Sequence, residues 1–342
     1  MKKLNIAVVG ATGAVGTEIL KILETRPYIQ HIKLFATERS RGTRIHFQGK
    51  EHQVETINSQ AFKGVDVALF AGGKVSQEYA PEALRQGAVV IDNSSTYRLH
   101  DDVPLVIPEV NPHALNNHKG LIANPNCSTI IMCMALKPIH NISPIKRIIV
   151  STYQAVSGAG KEAIDELYEQ INVNDSSNIQ PKVFPHQIAY NLIPHIDVFQ
   201  DNGFTKEEMK MVKETHKIFD DENIAITATT VRVPVIRSHS ESIYIETEEK
   251  IPLPLVRKVL ADSPGVILMD EPDKNIYPMP LKASEHDEVF VGRLREDIYN
   301  PRGLNMWVVG DQLRKGAATN AVQILDELLK RNLLYSSHYL CG

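Results

Sequence analysis

Long apolar runs are missing from this chain. No stretch approaches the roughly 18 residues that a bilayer-spanning helix needs, which excludes an integral helical membrane protein. Met1-Lys2-Lys3 leads directly into a short strand-like segment instead of a secretory signal, so a cytoplasmic protein is expected. Cysteine is scarce as well. Cys127, Cys133 and Cys341 are an odd count in a long chain, which argues against a disulfide framework and leaves free thiols for chemistry. Positive charge is neither in excess nor clustered: the formal net charge is -4, with Lys and Arg spread along the chain. The electrostatic footprint of a nucleic-acid binder or of a protein on an anionic membrane is therefore lacking. Internal repeats and low-complexity tracts are absent too, and small-molecule chemistry becomes the default.

What is present is ordinary globular material, with 43% hydrophobic and 23% charged residues. The 342 residues exceed the roughly 250–300 at which a single core stops growing, so two domains are expected. Leu4 to Val9 is a compact β-prone run, followed by a glycine-rich turn and a segment with Ile19, Leu20 and Leu23 at helical spacing. Strand-like runs at 31–36, 65–71, 89–92 and 120–123 alternate with helical or loop segments such as 80–86. That alternation predicts an α/β fold with a doubly wound, mostly parallel sheet. From about Lys146 the pattern turns strand-rich, at 147–153, 227–234 and 242–247, which predicts a second, α+β domain. A last helix carries Ala317, Ala321, Ile324, Leu325 and Leu328 on one face, with Lys330 and Arg331 near its C-terminus; periodicity does not assign it to either domain. The polar segment Asn172 to Gln180 reads as a surface loop.

Gly10, Gly13 and Gly16 lie between the first strand and the first helix. A helix that opens there offers N–H groups and its positive dipole end to a pyrophosphate, and glycine lets backbone and ligand come close. The spacing is G-x-x-G-x-x-G rather than the commoner G-x-G-x-x-G, so position carries more weight than the motif, and a turn built for tight packing is the other reading. After the second strand come Thr37-Glu38-Arg39-Ser40-Arg41. Arg39 and Ser40 suit a ribose 2′-phosphate, whereas Glu38 could bind a ribose hydroxyl. Ala71-Gly72-Gly73 could let the backbone lie against a ribose, with a plain loop as the equal alternative.

Cys127 follows Asn124-Pro125-Asn126 and precedes Ser128-Thr129 and a helical run. A thiol at a helix N-terminus is favoured as thiolate, the form that attacks carbonyl carbon, although a lone cysteine at such a junction is more often inert packing. Cys133 illustrates the inert case, and Cys341 falls in a frayed tail. Gln154 ends a strand and leads into the glycine-bearing Ala155 to Lys161. Arg232, Arg237 and His239 cluster after another strand. Imidazole is the natural proton carrier near neutral pH, yet among 13 histidines a single exposed loop histidine is the commoner case, and spacing does not show that His239 meets Cys127.

Taken together, these segments resemble the bacterial aspartate-semialdehyde dehydrogenases. The matching pieces are GATGAVG at 10–16, DNSSTYR at 92–98, PEVN at 108–111, NPNCST at 124–129, YQAVSGAG at 153–160, EEMK at 207–210, RVPVIRSHSE at 232–241 and GDQLRKGAATNAVQ at 310–323, spread over the whole chain. The resemblance implies Cys127 as acyl-thioester nucleophile, His239 as acid/base and Gln154 as the group that orients the reactants. It implies Arg98 and Lys210 for phosphate, and Arg232 with Glu207 for the substrate's carboxylate and amino group. For the cofactor, NADP(H), it implies Gly10, Thr12, Gly13, Ala14, Val15, Arg39, Ser40, Gly72, Ser157, Gly158 and Gln312, and it implies no metal. Gln312 is a departure, since the family more often has Asn beside that aspartate.

The implied reaction is the reductive dephosphorylation of L-aspartyl 4-phosphate to aspartate semialdehyde and phosphate, in lysine, threonine and methionine biosynthesis. The implied architecture is a Rossmann-type NADP-binding domain over 1–127, a catalytic domain over 128–310 that builds a homodimer, and a helix over 311–342 that returns to the first domain. Another acyl-phosphate reductase, such as N-acetyl-glutamyl-phosphate reductase, is the nearest rival, and EEMK with RVPVIRSHSE speaks against it. A dinucleotide-binding regulator without turnover is the rival from a different class.

Overall fold

The computed structural model describes residues 3–172 and 180–334, so most of the polar segment 172–180, and Cys341, lie outside the described residues. The chain divides into two compact units, Met1–Asn126 with Ala317–Gly342, and Cys127–Gly316.

In the first unit the elements run β1 (Leu4–Val9), α1 (Ala14–Leu23), β2 (Ile29–Phe35), β3 (Arg44–Phe47), β4 (Lys50–Glu55), β5 (Val67–Phe70), α2 (Lys74–Arg85), β6 (Val89–Asp92) and β7 (Leu121–Ala123). They form a seven-stranded sheet in the order β3-β4-β2-β1-β5-β6-β7. All neighbours are parallel except β3 and β4. The central strands β5 and β6 are buried at every position, as parallel strands covered on both faces must be, which is why they read as continuous apolar runs. The β3–β4 hairpin has no counterpart in the sequence reading. Its turn is Gln48-Gly49, both at positive φ (45° and 77°), the conformation a tight two-residue hairpin requires. Helix α2 begins well before the segment read as helical and runs through Pro81, a residue that ordinarily breaks the pattern.

The second unit holds α3 (Cys127–His140), β8 (Ile145–Gln154), α4 (Lys161–Ile171), α5 (Lys206–Phe219), β9 (Ala225–Arg232), β10 (His239–Thr247), α6 (Leu253–Ala261), β11 (Val266–Leu268), α7 (Pro280–Ala283), β12 (Val289–Glu296) and β13 (Gly303–Gly310). Its sheet is mixed, in the order β11-β12-β13-β10-β8-β9. Along β8 burial alternates, with Ile148, Val150, Thr152 and Gln154 inward and Arg147 and Ile149 exposed. That period of two leaves one face packed and one open. The fold is thus the α/β one, a doubly wound mostly parallel sheet joined in sequence to an α+β unit.

The chain then returns to the first unit as α8 (Thr319–Lys330). Ala321, Ile324, Leu325 and Leu328 enter the core that contains Leu4, Ile6 and Val8, and Asp326 accepts hydrogen bonds from Tyr28 Oη (2.7 Å) and Arg26 Nε (3.1 Å). The division falls at 126/127 and 316/317 rather than at 127/128 and 310/311. Cys127 already belongs to α3, which is buried almost throughout. Residues 311–316 stay with the second unit because Asp311 Oδ2 takes the Arg237 Nε–H and the Glu285 N–H, each at 2.6 Å.

Candidate active site

The glycine turn of the first unit has a distinct physical task at each glycine. Gly10 sits at φ 84°, where other residues are strained, and a Cβ on Gly16 would lie 2.1 Å from Gly10 O, so only glycine lets α1 approach the strand end this closely. Helix α1 opens at Gly13 with no side-chain cap and no acidic residue in its first turn, over Ala14 and Val15. Its N–H groups and dipole therefore favour an anion. Thr12 Oγ1 donates to Ser40 Oγ (3.1 Å), which brings the loop after β2 against the turn after β1. In that loop Glu38 is engaged by Arg41 (3.0 Å) while Arg39 is exposed. Gly72 and Gly73 stand at φ 123° and 86° ahead of α2, with open space where a Cβ would be.

Arg98 is buried in this same unit. Its Nε donates to Asn124 O (2.9 Å) and Nη2 to Asn93 O (2.8 Å). Asn124 in turn is held by Asn93, Ala317 and Asn320, so the loop that delivers the chain to Cys127 is tied down on several sides.

In the second unit Cys127 is the first residue of α3 and is partly accessible. Room for it comes from Gly316, where a Cβ would lie 2.9 Å from Cys127 Cβ. Cys133, a turn further on, is fully buried with Thr215 Oγ1 at 3.8 Å, so it is less isolated from polar groups than its sequence neighbours suggest. Burial pushes its thiol far up, which makes it inert.

His239 is not a loop residue. Ser238, at φ 73°, ends the loop, and β10 begins one residue later with His239 fully buried. Its Nδ1 accepts the Ala155 N–H (3.0 Å), so the neutral ring carries its proton on Nε2. Burial, and then the Arg232 charge, hold this histidine well below the usual imidazole range. Gln154 Nε2 lies 3.5 Å from His239 Nε2 and donates to Glu207 Oε1 (3.3 Å), while Gln154 Oε1 accepts from Thr152 Oγ1 (3.0 Å). With Nδ1 accepting, the His239 Nε2–H is a donor, and the Gln154 amide nitrogen is a second donor 3.5 Å from it.

Arg232 ends β9, buried, with Nη1 donating to Ala155 O (2.8 Å). Burial works against its charge, and Glu207 and Cys127 are close enough to support it. Gly158 lies over this pair of side chains: a Cβ there would meet Arg232 Nη1 at 3.1 Å and His239 Cε1 at 3.2 Å. Its bareness keeps that space clear.

Glu207 and Lys210 share one face of α5 at i, i+3 and form an ion pair at 3.0 Å. Lys210 also meets Asp197 at 2.8 Å. Burial alone would lower the ammonium, but Glu207 and Asp197 outweigh it and hold the pKa above its ordinary value. Gln312 is buried; its Oε1 accepts the Ser238 N–H (2.8 Å) and its Nε2 donates to Ser157 Oγ. It therefore ties the Ser157 turn to the end of the β9–β10 loop.

The second unit brings Cys127, Gln154, Gly158, Glu207, Lys210, Arg232 and His239 into one neighbourhood. Arg98 and the residues around Gly10, Ser40 and Gly72 belong to the first unit. Three contributors escaped the sequence reading. Gly316 lies inside GDQLRKGAATNAVQ, where nothing local marks it as the residue that makes room for Cys127. Asp197 carries no local signal, since it lies in an aperiodic segment. The Ala155 N–H is a backbone donor, which side-chain motifs do not advertise.

Residues 5–118 match the model of the semialdehyde dehydrogenase NAD binding domain, and residues 136–315 match that of the semialdehyde dehydrogenase dimerisation domain. The aspartate-semialdehyde dehydrogenase of Aquifex aeolicus is 54% identical over 337 residues, covering 96% of this chain and 99% of that one. The one from Bacillus subtilis is 48% identical over 342 residues, with 97% and 99% covered. Among solved structures, aspartate semialdehyde dehydrogenase II complexed with ASA from Vibrio cholerae matches with a TM-score of 0.92 at 46% identity, covering 96% of this chain and 99% of its own.

Proposed function

The chain belongs to the aspartate-semialdehyde dehydrogenase family, and on that footing we propose that it converts L-aspartyl 4-phosphate to L-aspartate 4-semialdehyde through a thioester on Cys127, with NADPH as reductant, in lysine, threonine and methionine biosynthesis. The observation that carries this reading is the convergence of Gln154, Glu207, Lys210, Arg232 and His239 in the unit that also presents Cys127. The Arg232 guanidinium takes the substrate carboxylate, which its planar fork matches, and Glu207 takes the amino group. Lys210 and Arg98 take the phosphate.

Cys127 thiolate attacks the acyl carbon, phosphate leaves with the bonding pair, and a thioester remains. When bound, the nicotinamide cofactor supplies the hydride for the next step. Gln154 NH2 and His239 Nε2–H donate to the oxygen on which negative charge then develops. The neutral His239 ring keeps its Nε2–H on that oxygen while the negative charge is held there, and as the oxyanion re-forms the carbonyl the C–S bond breaks with its electron pair on sulfur, which frees the aldehyde and the Cys127 thiolate. Covalent attachment splits one difficult reduction into two easier steps and holds the carbonyl in place.

For the cofactor, the uncapped start of α1 at Gly10, Thr12, Gly13, Ala14 and Val15 fits a pyrophosphate, and Gly72 fits a ribose. Arg39 and Ser40 would take the 2′-phosphate of NADP. The Arg41 contact on Glu38 favours this over a Glu38–ribose pairing, although so exposed an ion pair holds only weakly. Ser157 and Gly158 would meet the nicotinamide side, with Gln312 steadying Ser157. We read the assembly as a cytoplasmic homodimer built by the second unit.

The test is the reverse assay. The protein should reduce NADP with aspartate semialdehyde and phosphate, and Cys127→Ala should abolish this while cofactor binding survives. Undiminished turnover in that variant sinks the mechanism. N-acetyl-glutamate semialdehyde and NAD, as alternative reactants, test the substrate and cofactor assignments separately.

A further inference from the structure

We infer that Thr152 is a positioning residue for this reaction, its hydroxyl holding the Gln154 amide so that the NH2 group faces the reacting oxygen. The inference rests on the proposed role of Gln154. A glutamine amide can sit in two orientations of nearly the same shape, one presenting a donor and the other an acceptor. At one end of Gln154 stands the Glu207 carboxylate at 3.3 Å, at the other the Thr152 hydroxyl at 3.0 Å. Turning the amide would point its oxygen at a carboxylate and withdraw a donor from the site.

Thr152 and Gln154 lie two apart on β8, so the strand's alternation puts both on the packed face, where each is almost fully buried. With Thr152 shortened by its hydroxyl, Gln154 Oε1 would be left without a partner in a place water does not reach freely. The orientation of the amide would then depend on the Glu207 contact alone.

The sheet supplies its own control. In register, Thr152 stands between Glu241 on β10 and Thr230 on β9, and Thr230 is equally buried on the same face. Among the described residues the Thr230 hydroxyl has no hydrogen-bond partner, so it does not hold the Gln154 amide. Replacing either threonine by valine therefore makes the same change of shape and polarity one strand apart, and only the change at Thr152 removes a hydrogen bond to Gln154.

Steady-state rates of the full-length protein with aspartate semialdehyde, phosphate and NADP test this. Thr152→Val should lower kcat about tenfold, about 1.4 kcal/mol, with KM for the semialdehyde little changed and Cys127 alkylated at the wild-type rate. Thr152→Ser should restore most of the rate, and Thr230→Val should behave as wild type. In a Gln154→Ala background Thr152→Val should add nothing, because the group it positions is gone. If Gln154→Ala is impaired while Thr152→Val is fully active, the inference is overturned and the role of Gln154 stands. It is equally overturned if Thr152→Ser is as slow as Thr152→Val, or if Thr230→Val is slowed to the same degree. A harmless Gln154→Ala removes the premise and the inference together.

Discussion

Glu241 stands two residues beyond His239 on β10, fully buried, and neither carboxylate oxygen has a hydrogen-bond partner among the described residues. Burial pushes its pKa well above the carboxylate range, so the folded protein retains a proton that the unfolded chain gives up above pH ~4.3. More protons on the native state means that stability falls as pH rises beyond that point. Glu241→Gln keeps the shape and removes the titration. Its unfolding free energy relative to wild type should therefore improve from pH 5 to pH 8, by at most about 1.4 kcal/mol per pH unit. Parallel denaturation curves at the two pH values would contradict this.

His239 runs the other way. A second proton on its ring would sit on Nδ1, against the Ala155 N–H, and Arg232 opposes it further. The acid limb of kcat due to this residue should consequently fall well below pH 6.5; a limb near the free-imidazole value of about 6.5 would show that the ring is not held as described. At this scale the residue types of the candidate site were readable from the chain, since Cys127, Gln154, Arg232 and His239 all lie in motifs that the sequence shares with the family. Their environments were not. Whether a histidine is exposed or buried depends on where β10 starts, and the kink at Ser238 that decides it has no glycine to mark it.

Among the elements, α5 is the one most plainly specified by local chemistry. Thr205 Oγ1 accepts the Glu208 N–H (3.2 Å) and Glu208 Oε2 accepts the Thr205 N–H (2.7 Å), a reciprocal cap that fixes where the helix starts. Glu208 Oε1 also accepts the Thr230 N–H (3.0 Å), which ties the helix to β9. The start point matters because it places Glu207 and Lys210 on one face, toward Gln154. Thr205→Ala should lower the unfolding free energy by about 1 kcal/mol in a denaturant titration, and no loss would mean the cap is redundant. Elements with strong periodicity or continuous apolar runs, such as α1, β1, β6 and α8, were legible. The β3–β4 hairpin was not, because Gln48-Gly49 is not a customary turn pair, and the first half of α2 was masked by Pro81 and the glycines before it.

For the molecule as a whole, the distance in sequence between Gln154, Arg232 and His239 is closed within one unit by its sheet order. Placing β10 beside β8, and β8 beside β9, sets the ends of these strands next to one another, so that His239, Gln154 and Arg232 become neighbours. Strand order is a property of the folded sheet, which is why residue spacing alone left His239 unconnected to the site. The return of α8 to the first unit was likewise undecided by periodicity, because an apolar helix face fits any core; the Asp326 contacts with Arg26 and Tyr28 settle it.

The central claim is that Cys127 carries the acyl group between phosphate departure and reduction, and running the reaction backwards without phosphate isolates that step. With aspartate semialdehyde and NADP but no phosphate, a stoichiometric burst of NADPH should appear and then stall. Peptide mass spectrometry of the quenched enzyme should find the aspartyl group on the Cys127 peptide and not on the Cys133 residue it shares a helix with, and added phosphate should discharge it. A burst with no adduct at Cys127, or an adduct on another residue, would contradict the assignment.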